Sequence, residues 1–428
     1  MRNIPPNPAA AVPNQAQSVQ ERFRKSVVPS YSRFNLTLVR GKGSRVWDAQ
    51  GKSYLDFGGG IAVCGLGHAH PDIVRTLTEQ AGKLMHISNL YYQEPQVALA
   101  EQLAALLGPG KVFFCNSGGE ANEGLFKLAR KFGHDEGRFE ILTAENSFHG
   151  RTLAGIAATG QPKVKKGFEP MMQGFRHIPF NDLAAARAAL SPATAAIMVE
   201  GVQGEGGVVS ATPEYLLGLR RLCDAKKILL LMDEVQCGHF RTGRFHSFQR
   251  ILEGIPGGGD FLPDGVSMAK SLGAGFPMGA FWIRQPYADI LGAGSHGSTY
   301  GGSPLACAVG LTVLEVMARE HLADHARQTG EFLKAGLSAI AAKYPRVISD
   351  VRGLGLMIGV ELAPDIPAFA NSDKTPVVQF INRLHEAGLL AIPAGARIIR
   401  VLPALNLPQA EAVEGLSIIE SVAAKLSS

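Results

Sequence analysis

The sequence predicts an α/β protein with a mostly parallel sheet, joined to a smaller α+β unit. Between about residues 110 and 285, short apolar runs alternate with helical patterns, which is how a parallel sheet with covering helices is encoded. Beyond about residue 321 the pattern becomes helix, strand, helix, strand, helix. The chain has 428 residues and 46% hydrophobic content, enough for one large domain plus a smaller one with extensive cores.

Taken in order, residues 1–30 are rich in Pro, Ala and Gln, lack the apolar core of a secretory signal, and read as a flexible N-terminal arm. Alternation over 39–60 predicts a β-hairpin turning at Asp48-Ala49-Gln50-Gly51. A helical pattern runs from Pro71 to about residue 107. Lys111–Cys115 reads as a strand, followed by a helix to about Phe132. Further strand-like runs are Phe139–Thr143, Ala195–Glu200, Ile228–Met232, Gly265–Met268 and Gly279–Ile283, with a helix at Pro213–Ala225. GIPGGG at 254–259 is a surface loop. A long helix from Ser303 to about Arg319 leads out of the large unit. Then come helix 321–343, strand Leu354–Leu362, helix 376–388, strand Arg397–Leu402 and a last helix over about 408–426.

The formal net charge of +5 is small for this length, and no Lys/Arg run tracks nucleic acid. No apolar stretch reaches membrane-spanning length. Five cysteines, an odd number without a CxxC pair, suggest free thiols in a reducing compartment, hence a cytoplasmic protein. His68-Ala69-His70 lacks further ligands and reads as a turn, so no metal is expected. Cys115 and Cys237 read as packing residues.

Asp233 ends the buried run ILLLM, and Lys270 follows the strand-like DGVSMA. Ligands of open α/β sheets bind at the carboxyl ends of the strands. An isolated Asp and Lys would ordinarily be a salt bridge. At strand ends, however, the pair meets what pyridoxal 5'-phosphate chemistry requires. A lysine amine forms a Schiff base, and an acid keeps the pyridine nitrogen protonated. Ser117-Gly118-Gly119, between a strand and a helix, offers backbone N–H groups and a helix dipole to a phosphate.

The segments FFCNSGGEANEGLFKLAR, NSFHGRTLAG, VEGVQGEGGV, MDEVQCGHFRTGRF, SMAKSLGAGFPMGA and GSTYGGSPLACA resemble those of the class III (ω-)aminotransferases of PLP fold type I, in the same order. The resemblance runs from about residue 30 to the end and is nearest to the acetylornithine aminotransferases. It implies a large domain (76–318) with a mostly parallel seven-stranded sheet. It also implies a small α+β domain built from residues 31–75 and 319–428, and a homodimer with shared active sites.

The same resemblance assigns residues. Lys270 and Asp233 would be catalytic. Ser117, Gly118 and Gly119 would bind the cofactor phosphate, with Thr299, helped by Ser298, reaching the phosphate of the neighbouring subunit. Phe148 would stack on the ring, Val235 would pack on its other face and Gln236 would touch the ring oxygen. Arg151 would clamp the distal carboxylate of the substrate. Arg400 would be a second carboxylate site gated by Glu205, with Glu200 lining the same pocket. Two departures stand out: Gly119, where relatives often carry another small residue, and Gly201, where they usually carry Pro. Ile61 stands where ornithine aminotransferases carry a tyrosine, which suits an acylated substrate. The implied reaction is transamination of N2-acetylornithine with 2-oxoglutarate, a step of arginine biosynthesis. Ornithine, succinylornithine and 4-aminobutyrate are alternative donors, and an aminomutase on the same fold is an alternative reaction.

Overall fold

The apolar runs between residues 110 and 284 pair into one sheet. In spatial order its seven strands are Gly110–Cys115, Gly279–Arg284, Gly265–Met268, Leu229–Asp233, Thr194–Glu200, Glu140–Ala144 and Phe175–Ile178. Gly279–Arg284 is antiparallel to both neighbours. The other adjacent pairs are parallel. This computed structural model describes residues 18–427.

The two central strands, Thr194–Glu200 and Leu229–Asp233, are buried at every position. That is why they read as continuous apolar runs rather than as alternation. Their side chains still divide by the period of two. Ile197, Val199, Leu230 and Met232 pack with Tyr215, Leu216 and Leu219 of the helix Pro213–Lys226. Ala196, Met198, Leu229 and Leu231 pack with Ala121, Leu125 and Leu128 of the helix Gly118–Gly133. Helices thus cover both faces.

A second body of apolar packing joins the two ends of the chain. Strands Leu38–Lys42, Arg45–Asp48 and Ser53–Asp56 form a meander whose last strand takes Leu389–Leu390 as a parallel neighbour. An antiparallel sheet runs Ile348–Leu354, Met357–Leu362, Ile398–Val401, Ile392–Ala394. Leu55 and Phe57 share one core with Leu333, Phe380, Val401 and Ile419.

The structure corrects four expectations. The pattern over 71–107 is two helices, Pro71–Ala81 and Glu94–Leu107, because Gly82 ends the first and Pro95 opens the second. Leu354–Leu362 is not one strand: Gly355, at φ 54°, turns the chain into a hairpin between Ile348–Leu354 and Met357–Leu362. Phe175–Ile178 adds an edge strand too short to stand out in sequence. Of the expected arm, residues 1–17 lie outside the described residues, but Val19–Ser26 is a helix. Ser18 and Glu21 start it with a capping box. Among the described residues no helix is long and apolar enough to cross a membrane.

Candidate active site

The carboxyl ends of the central strands open into a cavity of about 390 Å³. Parallel register places Asp233 opposite both Glu200 and Ser267, so Asp233, Glu200 and Lys270, three residues past Ser267, meet at one rim. All three line the cavity, as do Ser117, Gly118, Gly119, Phe148, Val235 and Gln236.

Asp233 is 3% exposed. Its Oδ2 accepts from Asn122 Nδ2 at 2.8 Å and faces His149 Nδ1 at 2.8 Å, while Oδ1 accepts from the Val235 amide at 3.0 Å. Burial alone would raise its pKa. The bond and positive field from His149 and the two other donors outweigh that, and the carboxyl is held below its ordinary value. The result is a permanent buried anion. His149 and Asn122 are buried, and the sequence reading does not single them out. His149 lies inside the quoted motif NSFHGRT, beside residues that were singled out. Asn122 lies one turn into the glycine-led helix, where a buried polar side chain needs a partner.

Lys270 opens a short 3-10 turn and has φ 50°, an uncommon left-handed conformation for a non-glycine residue. Its amine makes no hydrogen bond or ion pair among the described residues. Burial, and then the charge of Arg400, pull its pKa down to about 8, against the pull of Glu205, Asp233 and Glu200. The neutral form, which a nucleophile and proton carrier needs, is therefore far more populated near neutral pH than for an ordinary lysine. Burial, with the negative charge of Asp233, raises the pKa of Glu200 well above the usual carboxylate range, although the Phe148 amide donates to it at 3.2 Å. Cys115 is pushed up to about 12 by burial, which makes it a poor nucleophile.

Ser117 caps the helix Gly118–Gly133, its Oγ accepting from the Glu120 amide at 3.2 Å. The first amides of any helix lack carbonyl partners and attract anions. A Cβ at Gly118 would meet Val235 at 2.6 Å, whereas at Gly119 the nearest atom would be 3.9 Å away. Gly118 is therefore fixed by close packing, whereas a side chain at Gly119 would make only ordinary contacts.

The arginines differ sharply. Arg400 is 1% exposed; its Nη1 donates to Glu205 at 2.5 Å and Gln236 at 3.0 Å, and its Nη2 to the Pro393 carbonyl at 2.8 Å. Arg151 is exposed, stacks over the Phe148 ring at 5.4 Å, and has no ion-pair partner among the described residues. Gln236 links this layer to the cavity. Ser298 stands close by, its Oγ accepting from Asn116 Nδ2 at 3.2 Å. Thr299 is exposed and does not line the cavity of its own chain, and neither does Ile61; Val63 lines it instead. Ile61 lies 40% exposed in a run of left-handed residues, Gly59 to Ala62.

This donor set fits pyridoxal 5'-phosphate: an unpartnered amine, a permanent buried anion, a helix N-terminus with a bare glycine, and an aromatic face share one cavity. The comparisons with known proteins agree. The sequence pattern of the family described as "Aminotransferase class-III" matches residues 27–423. This chain belongs to the class III aminotransferases. It is a pyridoxal 5'-phosphate-dependent aminotransferase. It is 43% identical to acetylornithine aminotransferase of Gloeobacter violaceus over 96% of this chain and 98% of that protein. The corresponding enzyme of Myxococcus xanthus is 44% identical over 93% and 96%. Among solved structures, ornithine aminotransferase from Toxoplasma gondii superposes with a TM-score of 0.87 at 32% identity, covering 95% of this chain and 94% of that one. N-acetylornithine aminotransferase from Stenotrophomonas maltophilia gives 0.77 at 36% identity, over 92% and 96%. The class III fold accounts for the seven-stranded, mostly parallel sheet.

Proposed function

We propose that this aminotransferase moves the terminal amine of N2-acetylornithine to 2-oxoglutarate, giving N-acetylglutamate 5-semialdehyde and glutamate, as an arginine-biosynthetic enzyme. One observation carries the choice: a buried arginine already neutralised by a carboxylate, Arg400 with Glu205, and an arginine without an ion-pair partner among the described residues, Arg151, over the Phe148 ring that lines the cavity. A donor that reacts through its terminal amine has its only carboxylate far from the reacting carbon. Arg151 takes that carboxylate in a bidentate grip. Glu205 meanwhile keeps Arg400 from standing as an unpaired buried charge. Glutamate reacts through its α-amine and needs a cation close to the reacting carbon. Glu205, whose side chain is 25% exposed, has solvent to move into, and Arg400 is then released to bind the α-carboxylate. The acetylornithine aminotransferase names of the relatives support the same reading.

The bound cofactor supplies the carbonyl carbon that exchanges amines and the electron sink that weakens the adjacent C–H bond. The chain does the rest. Lys270 Nζ is the amine that would hold the cofactor through its carbonyl carbon and, when free, the base that would take the proton from the reacting carbon of the substrate. Asp233, kept anionic by His149 and Asn122, would favour a protonated ring nitrogen on the cofactor. Ser117, Gly118 and Gly119 present amides to the phosphate. Phe148 and Val235 offer apolar walls to the ring, and Gln236 a polar contact to its oxygen. Glu200 lines the substrate side.

The protein works as a homodimer in this reading. Leu84, Met85, Leu90, Tyr91 and Tyr92 are exposed on one loop. That loop touches the segment carrying Thr299, through His86 against Tyr300 and Asn89 against the Ser298 and Gly301 carbonyls. So large an apolar surface calls for a partner. A second copy would cover it and bring Thr299 and Ser298 to the phosphate of the other site. We divide the chain into a large domain, 76–318, and a small one formed by 31–75 and 319–428, and place the enzyme in the cytoplasm, in keeping with five free cysteines. The test is a panel of N2-acetylornithine, ornithine, succinylornithine and 4-aminobutyrate, each with and without 2-oxoglutarate. The acetylated donor should give the highest kcat/KM and require the oxoacid. Equal or faster turnover of free ornithine overturns the substrate, and turnover without 2-oxoglutarate points to an aminomutase.

A further inference from the structure

Directly behind Asp233 and Glu200 lies a polar cluster that the reaction does not use. Glu234 is 0% exposed, yet carries a carboxylate. Its Oε1 accepts from Ser247 Oγ at 2.5 Å and its Oε2 from the Ser247 amide at 2.8 Å, with Cys237 Sγ at 3.4 Å. Ser247 is also 0% exposed and begins the short helix Ser247–Ile251. The buried His246 ring faces the same carboxylate, Nδ1 lying 3.8 Å from Oε2, and Gly201, which follows Glu200, closes the other side. Gly201 does not adopt a left-handed conformation, so flexibility is not what its glycine supplies. Space is: a Cβ there would overlap Ser247 Oγ and come within 3.3 Å of Glu234 Oε1.

Glu234 is the first residue of the turn that feeds the site. Its amide donates to the Ser267 carbonyl at 3.1 Å, three residues before Lys270, and its carbonyl accepts from the Gly238 amide at 3.0 Å. Inside this turn the Val235 amide reaches Asp233, and Gln236 reaches Arg400. The turn therefore sets the Asp233 carboxylate, the wall against Gly118 and the contact to the second arginine together. Two donors from Ser247 fix the side chain at its start.

We propose that Ser247 is a positioning residue that acts through Glu234, and that Gly201 is the vacancy its hydroxyl requires. A side chain at 201 and a hydroxyl at 247 exclude each other, so the glycine and the serine are one device. It clamps the Asp233–Cys237 turn in the geometry that the cofactor ring meets. The inference rests on the placement of Asp233 at the ring.

Two measurements test it. The first is a double-substitution cycle read as thermal stability of the apoenzyme, independent of cofactor. Gly201→Ala should lower Tm clearly in the parent. In Ser247→Ala the same change should cost less than half as much, because the overlap with the hydroxyl is gone and the added Cβ would then meet the residue-247 Cβ at 3.1 Å and Glu234 Oε1 at 3.3 Å. Costs that simply add overturn the exclusion. The second is cofactor binding by Ser247→Ala, followed by fluorescence titration of the apoenzyme and by the pH at which the absorbance of the bound cofactor changes. Affinity should fall about tenfold, the lower end of the scale of one hydrogen bond to a charged group because the effect is relayed through Glu234, and the absorbance transition should move. A variant that loses only Tm, with affinity and transition unchanged, overturns the positioning role. If Ser247→Ala does not fold, Glu234→Gln is measured instead, with the same expected shift and the same overturning result. Failure of the parent itself to bind the cofactor would sink the site reading first and this inference with it.

Discussion

Glu205→Ala isolates the switch between the two donors. In the parent, Glu205 Oε1 lies 2.5 Å from Arg400 Nη1. Two unit charges about 4 Å apart attract by roughly 4 kcal/mol at an effective dielectric near 20. Desolvation of both groups cancels much of this, and the exposed edge of Glu205 reduces it further. A net of about 1–2 kcal/mol remains, which is roughly tenfold in affinity or slightly more. Without Glu205, Arg400 keeps Gln236 and the Pro393 carbonyl but no anion, and its Nε is already unpartnered. It should therefore hold the α-carboxylate of glutamate about tenfold more tightly, while N2-acetylornithine binds more weakly because a bare cation now faces its reacting ammonium. The assay is the half-reaction of the holoenzyme with each donor, followed by cofactor absorbance against donor concentration. Opposite shifts in the two half-saturation constants are expected. Parallel shifts would show that Glu205 supports the fold of the pocket rather than gating Arg400, and the reasoning would fail.

Other outcomes follow from the same geometry. His149→Leu removes a donor to the Asp233 anion, so kcat should fall by about ten- to a hundredfold, the scale of a hydrogen bond to a charged group. The Asp233 pKa should then rise, so that activity is lost at a higher pH on the acid side than in the parent; an unchanged acid limb in single-turnover rates would contradict this. Gly118→Ala should weaken cofactor retention on dialysis because of the 2.6 Å approach to Val235, whereas Gly119→Ala should be nearly neutral. Equal losses would refute the packing argument. For the apoenzyme, Lys270→Met tests the buried amine. The lysine pKa is lowered from 10.5 to about 8 on folding, so the unfolded chain binds more protons between those values and the contribution to stability rises with pH through that window. Lys270→Met should thus be more stable than the parent at pH 7, with the gain shrinking toward pH 10.5, as read from paired urea melts.

The sequence by itself determined the class of fold and the chemistry of the site. Buried parallel strands must be apolar along their length, and ILLLMD and TAAIMVE announce both the strands and the charged residue that ends each. The glycine-led helix start, the lysine after the next strand and the order of motifs followed from local chain chemistry. What depended on neighbours distant in sequence only the tertiary structure decided. No local pattern shows that His149 and Asn122, 84 and 111 residues from Asp233, converge on its carboxylate. Nor could sequence show that Gly201 makes room for a hydroxyl 46 positions later, where one missing Cβ admits Ser247 Oγ to Glu234. The hairpin hidden in 354–362 was set the same way, by Gly355, which packs against the backbone of Arg241 and Thr242. Periodicity and end signals are local and survive in one dimension. Charge balance and steric exclusion depend on distances in space, and those exist only once the strands have paired.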